Sequence, residues 1–275
     1  DKKNYQRPNK ILNIPKKLKL HDFYATEIEK LIKNPYNIYA LKILKLRKKS
    51  ICFTEEKNKI FGILVHKSLD NFLKKITDYK TLNSKQKLAI LNNIFAKLLL
   101  TYKIPKAIQI SWLNRFGYIA SDFVLNSKDE KILSEYFAEI YLPANKINLK
   151  AKIDYISYVD KKLKIIDYKT GIIPSNQDIY SGISGQLIIE LFILLKQQPT
   201  ENFTLEFWQL IGKIDDGIKI KELKANFIKD ALNVVTSSLS RLIDKYQNSA
   251  LLCFPHQNKK SKYDDYYHLA RIDKN

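Results

Sequence analysis

Ala151-Lys152-Ile153-Asp154 and, after a short hydrophilic turn, Ile165-Ile166-Asp167-Tyr168-Lys169-Thr170-Gly171 decide how this chain is read. The runs from Leu149 to Val159 and from Leu163 to Thr170 are rich in Ile, Leu, Tyr and Val and flank Asp160-Lys161. That is a strand-turn-strand signature, although the turn lacks Gly. A turn centred on Asp160-Lys161 sets Asp154 directly opposite Asp167. In an antiparallel pair opposed residues share a face, with Cβ atoms roughly 4.5 to 5.5 Å apart, and like charges placed there destabilise the sheet. Something positive is therefore expected between them. Side chains alternate along a strand, so Lys169 falls on the face of Asp167 while Tyr168 points the other way. Hard oxygen ligands converging at that distance suit Mg²⁺ or Mn²⁺ better than zinc, which prefers Cys and His.

The competing interpretation is a set of charges on the wet face of an ordinary hairpin, where charged residues mostly belong. Ile165 and Ile166 are adjacent, so both faces of their strand read as covered, and Asp167 continues a buried run. The same pairing places Lys152 opposite Lys169, which is comfortable only if one of them reaches an anion such as a DNA phosphate. An odd-length turn would shift the register by one residue and undo the arrangement.

Asp154 and Asp167-Tyr168-Lys169, preceded by Gly62-Ile63-Leu64-Val65-His66 and followed by Gln186, resemble the RecB-type branch of the PD-(D/E)XK nucleases. That branch runs through a G-x-x-x-H helix, a G-R-x-D strand, a D-Y-K-T-G strand and a Q-L helix; Ala151-Lys152 replaces the usual Gly-Arg here. The flanks narrow the likeness. Thr26-Glu27-Ile28-Glu29, Asn34-Pro35-Tyr36, Ile43-Leu44-Lys45-Leu46, Gly182-Ile183-Ser184-Gly185-Gln186-Leu187 and Tyr267-His268-Leu269-Ala270-Arg271 look like the C-terminal nuclease domain of the AddB family. AddB is the second subunit of a helicase-nuclease that processes DNA double-strand ends for recombination. Many AddB proteins hold an iron-sulfur cluster on four cysteines; this chain has only Cys52 and Cys253 and resembles the variant without one.

The resemblance implies that His66, Asp154 and Asp167 ligate Mg²⁺ or Mn²⁺, with the Tyr168 carbonyl completing the protein's share. It implies that Lys169 positions or activates the attacking water and that Gln186 orients the site or the scissile strand. Glu190 stands where the wider family often has Tyr, and Glu139, on the preceding expected strand, is an outer-shell candidate. Taken singly, His66 beside the stripe Val65, Leu69, Phe72 and Ile76 also fits a core histidine, and Gln186 also fits the start of a buried helix. Their order around the hairpin is what joins them.

The net charge of +20 fits a nucleic-acid partner, since basic domains gain affinity by releasing counterions from phosphates. Lys far outnumbers Arg while Ile and Asn abound, the pattern of AT-rich coding, so part of the charge is also explicable as drift. Lys10, Lys16, Lys17 and Lys19 mark a basic arm over residues 1–22, and Lys259, Lys260 and Lys262 sit beside Tyr263, Tyr266 and Tyr267. Basic and aromatic residues interleaved this way can follow a single strand; a solvated tail is the alternative for either segment. Residues 23–275 are expected to form one nuclease domain, because 275 residues with 45% hydrophobic content can bury a substantial core. No run spans a bilayer and no signal-peptide pattern is present, so the expected location is cytoplasmic. Two widely spaced cysteines fit a reducing interior. A start at Asp1 without Met reads as an excised fragment or one arm of a longer protein. Without a G-x-x-x-x-G-K-[ST] loop no ATPase is evident; the AddB resemblance then implies that unwinding comes from an AddA-like partner motor and that single-stranded DNA is the substrate.

The expected architecture is α/β, a mixed central sheet flanked by helices with a restriction-endonuclease-like core. Thr26 with Glu29 reads as a capping box, and Asn34-Pro35 caps a second helix through Leu44. Further helices are expected over 62–76, 84–102, 107–115, 128–135, 183–196 and 220–246, with strands over 138–142, 149–159, 163–170 and 203–211. Besides a subunit domain fed by a helicase, two functions compete: a free-standing RecB-like exonuclease or endonuclease of a mobile element or defence system, and a nuclease-dead DNA-binding module.

Overall fold

In the computed structural model, residues 20–46, 53–75, 81–127, 132–159 and 162–248 are described. The basic arm up to Lys19, the Asp160-Lys161 turn, both cysteines, and the tail with Lys259, Lys260, Lys262, Tyr263 and Tyr267 to Arg271 lie outside them. The chain opens with strand β1 (Asp22–Tyr24), helix α1 (Ala25–Lys33) and a short helix α2 (Pro35–Ile38) that widens into a π-helical turn over Tyr39–Ile43. Three long helices follow, α3 (Phe53–Leu73), α4 (Ser84–Thr101) and α5 (Lys106–Asn126). Then come strands β2 (Ile132–Leu142), β3 (Ile147–Val159) and β4 (Lys162–Lys169), helices α6 (Asn176–Tyr180) and α7 (Gln186–Gln197), strands β5 (Phe203–Lys213) and β6 (Asp216–Glu222), and helix α8 (Ala225–Asn248).

The expected mixed sheet is present, with β2 and β6 at its edges and β3, β4 and β5 inside. Helices α1, α7 and α8 cover one face through Ile28, Leu31, Leu187, Ile188, Leu191, Ile228, Val235 and Leu239. Helices α3, α4 and α5 cover the other through Phe61, Leu69, Phe95, Phe116 and Phe123. α7 is apolar almost all round, as a helix buried on most sides must be. The adjacent Ile165 and Ile166 divide between the two cores as expected.

Strand β3 is the axis of the design. β2 pairs with it antiparallel along nearly its whole length. Its other edge is shared: β1 pairs parallel with Asn148–Lys150, and β4 pairs antiparallel with Tyr155–Val159. Ala151 to Asp154 are left between the two partners, so the sheet is split at that point.

Several boundaries differ from the sequence expectation. Residues 132–135 are strand, not helix, because β2 extends to pair Ile132 with Ser157; long-range pairing overrides a locally helical composition. The helix expected over 107–115 continues to Asn126, and the one expected from Ile220 begins at Ala225, since β6 occupies 216–222. Helix α1 is capped by Glu27, which accepts the Tyr24 N–H at 2.8 Å, rather than by Thr26 and Glu29. Asn34 caps α2 as expected, accepting the Tyr36 N–H at 3.1 Å.

Candidate active site

The β3–β4 ladder ends at Tyr155↔Ile166. One step further in the same register would set Asp154 opposite Asp167, the expected juxtaposition, but here the strands part. The Tyr168 N–H donates to Asp154 Oδ2 at 2.9 Å in place of a backbone carbonyl. The other carboxylate oxygen, Oδ1, lies 3.3 Å from His66 Nδ1 on α3. Asp154 thus closes the end of the split with its side chain and reaches the helical layer on the α3 side.

Asp167 and Lys169 face the opposite layer. Lys169 Nζ sits 2.9 Å from Asp167 Oδ1 and 2.8 Å from Oδ2, and donates to Gln186 Oε1 at 3.2 Å. Gln186 in turn donates through Nε2 to Glu190 Oε1 at 2.9 Å, one turn along α7. Its backbone N–H, at the helix start, donates to Glu29 Oε1 at 3.0 Å, a favourable place for an anion because the first-turn N–H groups lack intrahelical partners. Tyr168 points away, as alternation requires, into the α3–α5 core, where its ring meets Phe123, Trp208 and the edge of His66. The split in the sheet lets residues from both layers meet.

A second irregularity lies beside the first. On β2, Tyr136, Ala138 and Ile140 face the α1/α7/α8 core, whereas Ile132 faces the α3–α5 core, and Ser134 donates to Asp70 of α3 at 2.7 Å. On β3, Ile153 belongs to the first core and Tyr155 to the second. Residues two apart on a strand normally share a face, so both strands exchange faces together, at Glu135 and Asp154. Ser134↔Tyr155 and Tyr136↔Ile153 keep one register, leaving Glu135 across from Asp154 with a backbone φ of 49°. His66, Glu135 and Asp154 offer ligand atoms within 4.8 Å of one another. Imidazole nitrogen with carboxylate oxygens is a donor set for a divalent cation.

The charges are strongly coupled. Burial raises the Asp167 carboxyl to about 6; Lys169 opposes the rise and Asp154 adds to it. Burial likewise pushes Glu190 well up, helped by Asp167. For Asp154 burial acts upward too, but His66, the Tyr168 N–H and Lys169 outweigh it and hold the carboxyl below its ordinary value. Burial would lower His66 and Lys169, yet the surrounding carboxylates raise both. Burial thus favours the protonated form of Glu190, while Asp154 keeps its charge beside His66 and Lys169.

His66, Asp154, Asp167, Tyr168, Lys169, Gln186 and Glu190 therefore converge. Glu139 does not: it is exposed, lies across from Lys150 and 3.7 Å from its Nζ, while Glu135 occupies the inward position. Lys152 is not opposite Lys169, because the β3–β4 ladder has ended; it stands across from Phe137 and its ammonium pairs with Glu135. Glu29 and Glu135 escaped sequence reasoning, the first counted as a cap, the second placed in a helix. A strand reading begun at Ile132 would have set Glu135 across from Asp154.

A family model described as the PD-(D/E)XK nuclease superfamily matches residues 24–258. An uncharacterized protein of Rickettsia conorii is 30% identical over 285 residues, covering 90% of this chain and 33% of its own length. Another, from Rickettsia typhi, is 35% identical over 182 residues, covering 62% of this chain and 21% of its own length. The chain spans about a third of the length of the first of these relatives. Among solved structures, a candidate exonuclease from Eubacterium rectale superposes with a TM-score of 0.42 at 14% identity, over 83% of this chain and 82% of the other.

Proposed function

This chain belongs to the PD-(D/E)XK nuclease superfamily, and from that premise we propose that it is the Mg²⁺- or Mn²⁺-dependent DNA-cutting domain of a larger machine. The observation that carries this reading is the Asp154, Asp167 and Lys169 constellation: a carboxylate held beside His66, and a buried carboxylate bridged at 2.8–2.9 Å by an ammonium. His66, Asp154, Asp167 and the Tyr168 carbonyl would hold the ion. When bound, such an ion supplies charge neutralisation at a phosphodiester and a more acidic water.

The chain's own residues do the rest. Lys169 presents a preorganised positive charge where negative charge develops on the phosphate, and orients the attacking water. Gln186 fixes that ammonium by accepting from it, and Glu190 fixes Gln186. Tyr168 packs the strand against the aromatic core so that its neighbours on either side keep their aim. Lys152, with Lys259, Lys260, Lys262 and Tyr263 beyond the described residues, supplies contacts to the strand.

In the finer reading the domain is AddB-like and without an iron-sulfur cluster. It resides in the cytoplasm, with residues 1–22 as a basic arm and 23–275 as the nuclease domain, and it cuts single strands delivered by an AddA-like helicase during recombinational break repair. Among the described residues no helix is long and apolar enough to cross a membrane. The test is cleavage of end-labelled single-stranded and duplex DNA with Mg²⁺, Mn²⁺ or EDTA, beside Lys169→Ala. Metal-dependent cutting of single strands that Lys169→Ala eliminates is the expected result. Binding of DNA without cutting, even with an AddA-like motor added, would leave a DNA-binding module in its place.

A further inference from the structure

We propose that Glu135 is a further ligand of the same divalent ion, and that Lys152 is its competitor, released to a substrate phosphate when the ion binds. This deepens the nuclease reading and rests on it. The resemblance assigns no role to Glu135.

Glu135 is the residue at which β2 changes face, held at φ 49° in a strand, a conformation that non-glycine residues occupy rarely. The exchange aims its carboxylate toward His66 and Asp154 and away from solvent; its side chain is 18% exposed, against 38% for Glu139 four residues on. A carboxylate beside Asp154 repels it unless a cation lies between or beside them. In the absence of an ion that cation is the Lys152 ammonium, paired with Glu135 on a side chain that is otherwise 62% exposed. A divalent ion bound by His66 and Asp154 lies within reach of Glu135, since their ligand atoms fall within 4.8 Å, and offers the carboxylate a stronger partner than Lys152. The freed ammonium then stands at the rim of the site, where a substrate phosphate approaches. Lys152 pairs with Glu135 before loading and with substrate after it.

The test is Mn²⁺ binding without DNA, by calorimetry on the whole chain, for wild type, Glu135→Gln, Glu135→Gly, Glu139→Gln, Lys152→Met and Asp154→Asn. Glu135→Gln is expected to weaken Mn²⁺ by at least about tenfold, the low end of what loss of a supporting group costs a metal site. Glu139→Gln should leave affinity unchanged and Lys152→Met should tighten it. Glu135→Gly, which relieves the left-handed backbone, should raise the unfolding temperature while still losing affinity, separating ligation from folding. Wild-type affinity in both Glu135 variants, or in Lys152→Met, would overturn the proposal while loss of binding in Asp154→Asn upheld the nuclease centre. No Mn²⁺ binding by wild type would overturn both.

Discussion

Asp154 substitutes for a strand: its Oδ2 accepts the Tyr168 backbone N–H at 2.9 Å at the point where the β3–β4 ladder ends. A side chain thereby completes the edge of a sheet and turns its other oxygen toward His66. The two roles are separable by substitution. Asp154→Asn keeps an acceptor for Tyr168, and Asp154→Ala leaves a shielded N–H without one, so the alanine variant should be less stable than the asparagine variant by about 1–3 kcal/mol. Urea denaturation of the metal-free proteins measures the difference, while both variants should be unable to cut.

Asp167 predicts a pH dependence. Its carboxyl sits at about 6 in the folded chain, against 3.8 for an unperturbed aspartate. A raised folded value means that the folded state binds the proton more tightly, so the stabilisation is fully present below about pH 4 and is lost as pH rises through about 6. In EDTA, wild type should therefore lose stability relative to Asp167→Asn across that interval, by on the order of a few kcal/mol. Denaturation midpoints at pH 4, 5, 6 and 7 for the pair give the slope. A pH-independent difference would contradict the burial assigned to Asp167.

Gly62 lies one turn before His66 on α3, and a Cβ there would stand 2.8 Å from Thr170 Oγ1, immediately after Lys169. Gly62→Ala should displace Thr170 and cost about 1–3 kcal/mol through overpacking, with reduced cleavage. Thr170→Ala removes the obstructing oxygen, so the double variant should recover most of both losses. A double-mutant cycle reads that coupling directly.

Glu206 tests the packing of Trp208, whose ring meets that of Tyr168. Its carboxylate, 8% exposed as a residue, accepts the Trp208 Nε1–H at 2.7 Å and lies 3.4 Å from Lys164. Glu206→Ala should cost about 1–3 kcal/mol because a buried indole donor loses its partner, whereas Glu206→Gln keeps an acceptor and should lie near wild type. Trp208 fluorescence during unfolding follows both.

The β3–β4 register, from Tyr155↔Ile166 to Val159↔Lys162, was legible because Asp160-Lys161 separates two β-rich runs and reads as an even turn. The divided burial of Ile165 and Ile166 was legible because side chains alternate along a strand. Strand β6 was readable in principle: Ile218 and Ile220 alternate with Lys219 and Lys221 after Asp215-Asp216-Gly217, a period of two with a turn signal, and Asp215 takes φ 57° there. The helical composition that follows at Ala225 concealed it. Glu135 was hidden because residues 128–135 read as helix in isolation, whereas 132–135 become strand only through pairing with β3. Glu29 was hidden more deeply, since its partner Gln186 lies 157 positions away and nothing local links them.

The split edge of β3 also sets when reactivity can arise. β1 fills one side of the gap and β4 the other, while Glu29, His66, Asp154, Lys169 and Gln186 arrive from α1, α3, β3, β4 and α7. Pairings of such sequence separation form late, after loop closure has been overcome. A chain still emerging from the ribosome has no assembled centre until α7 has been made and docked.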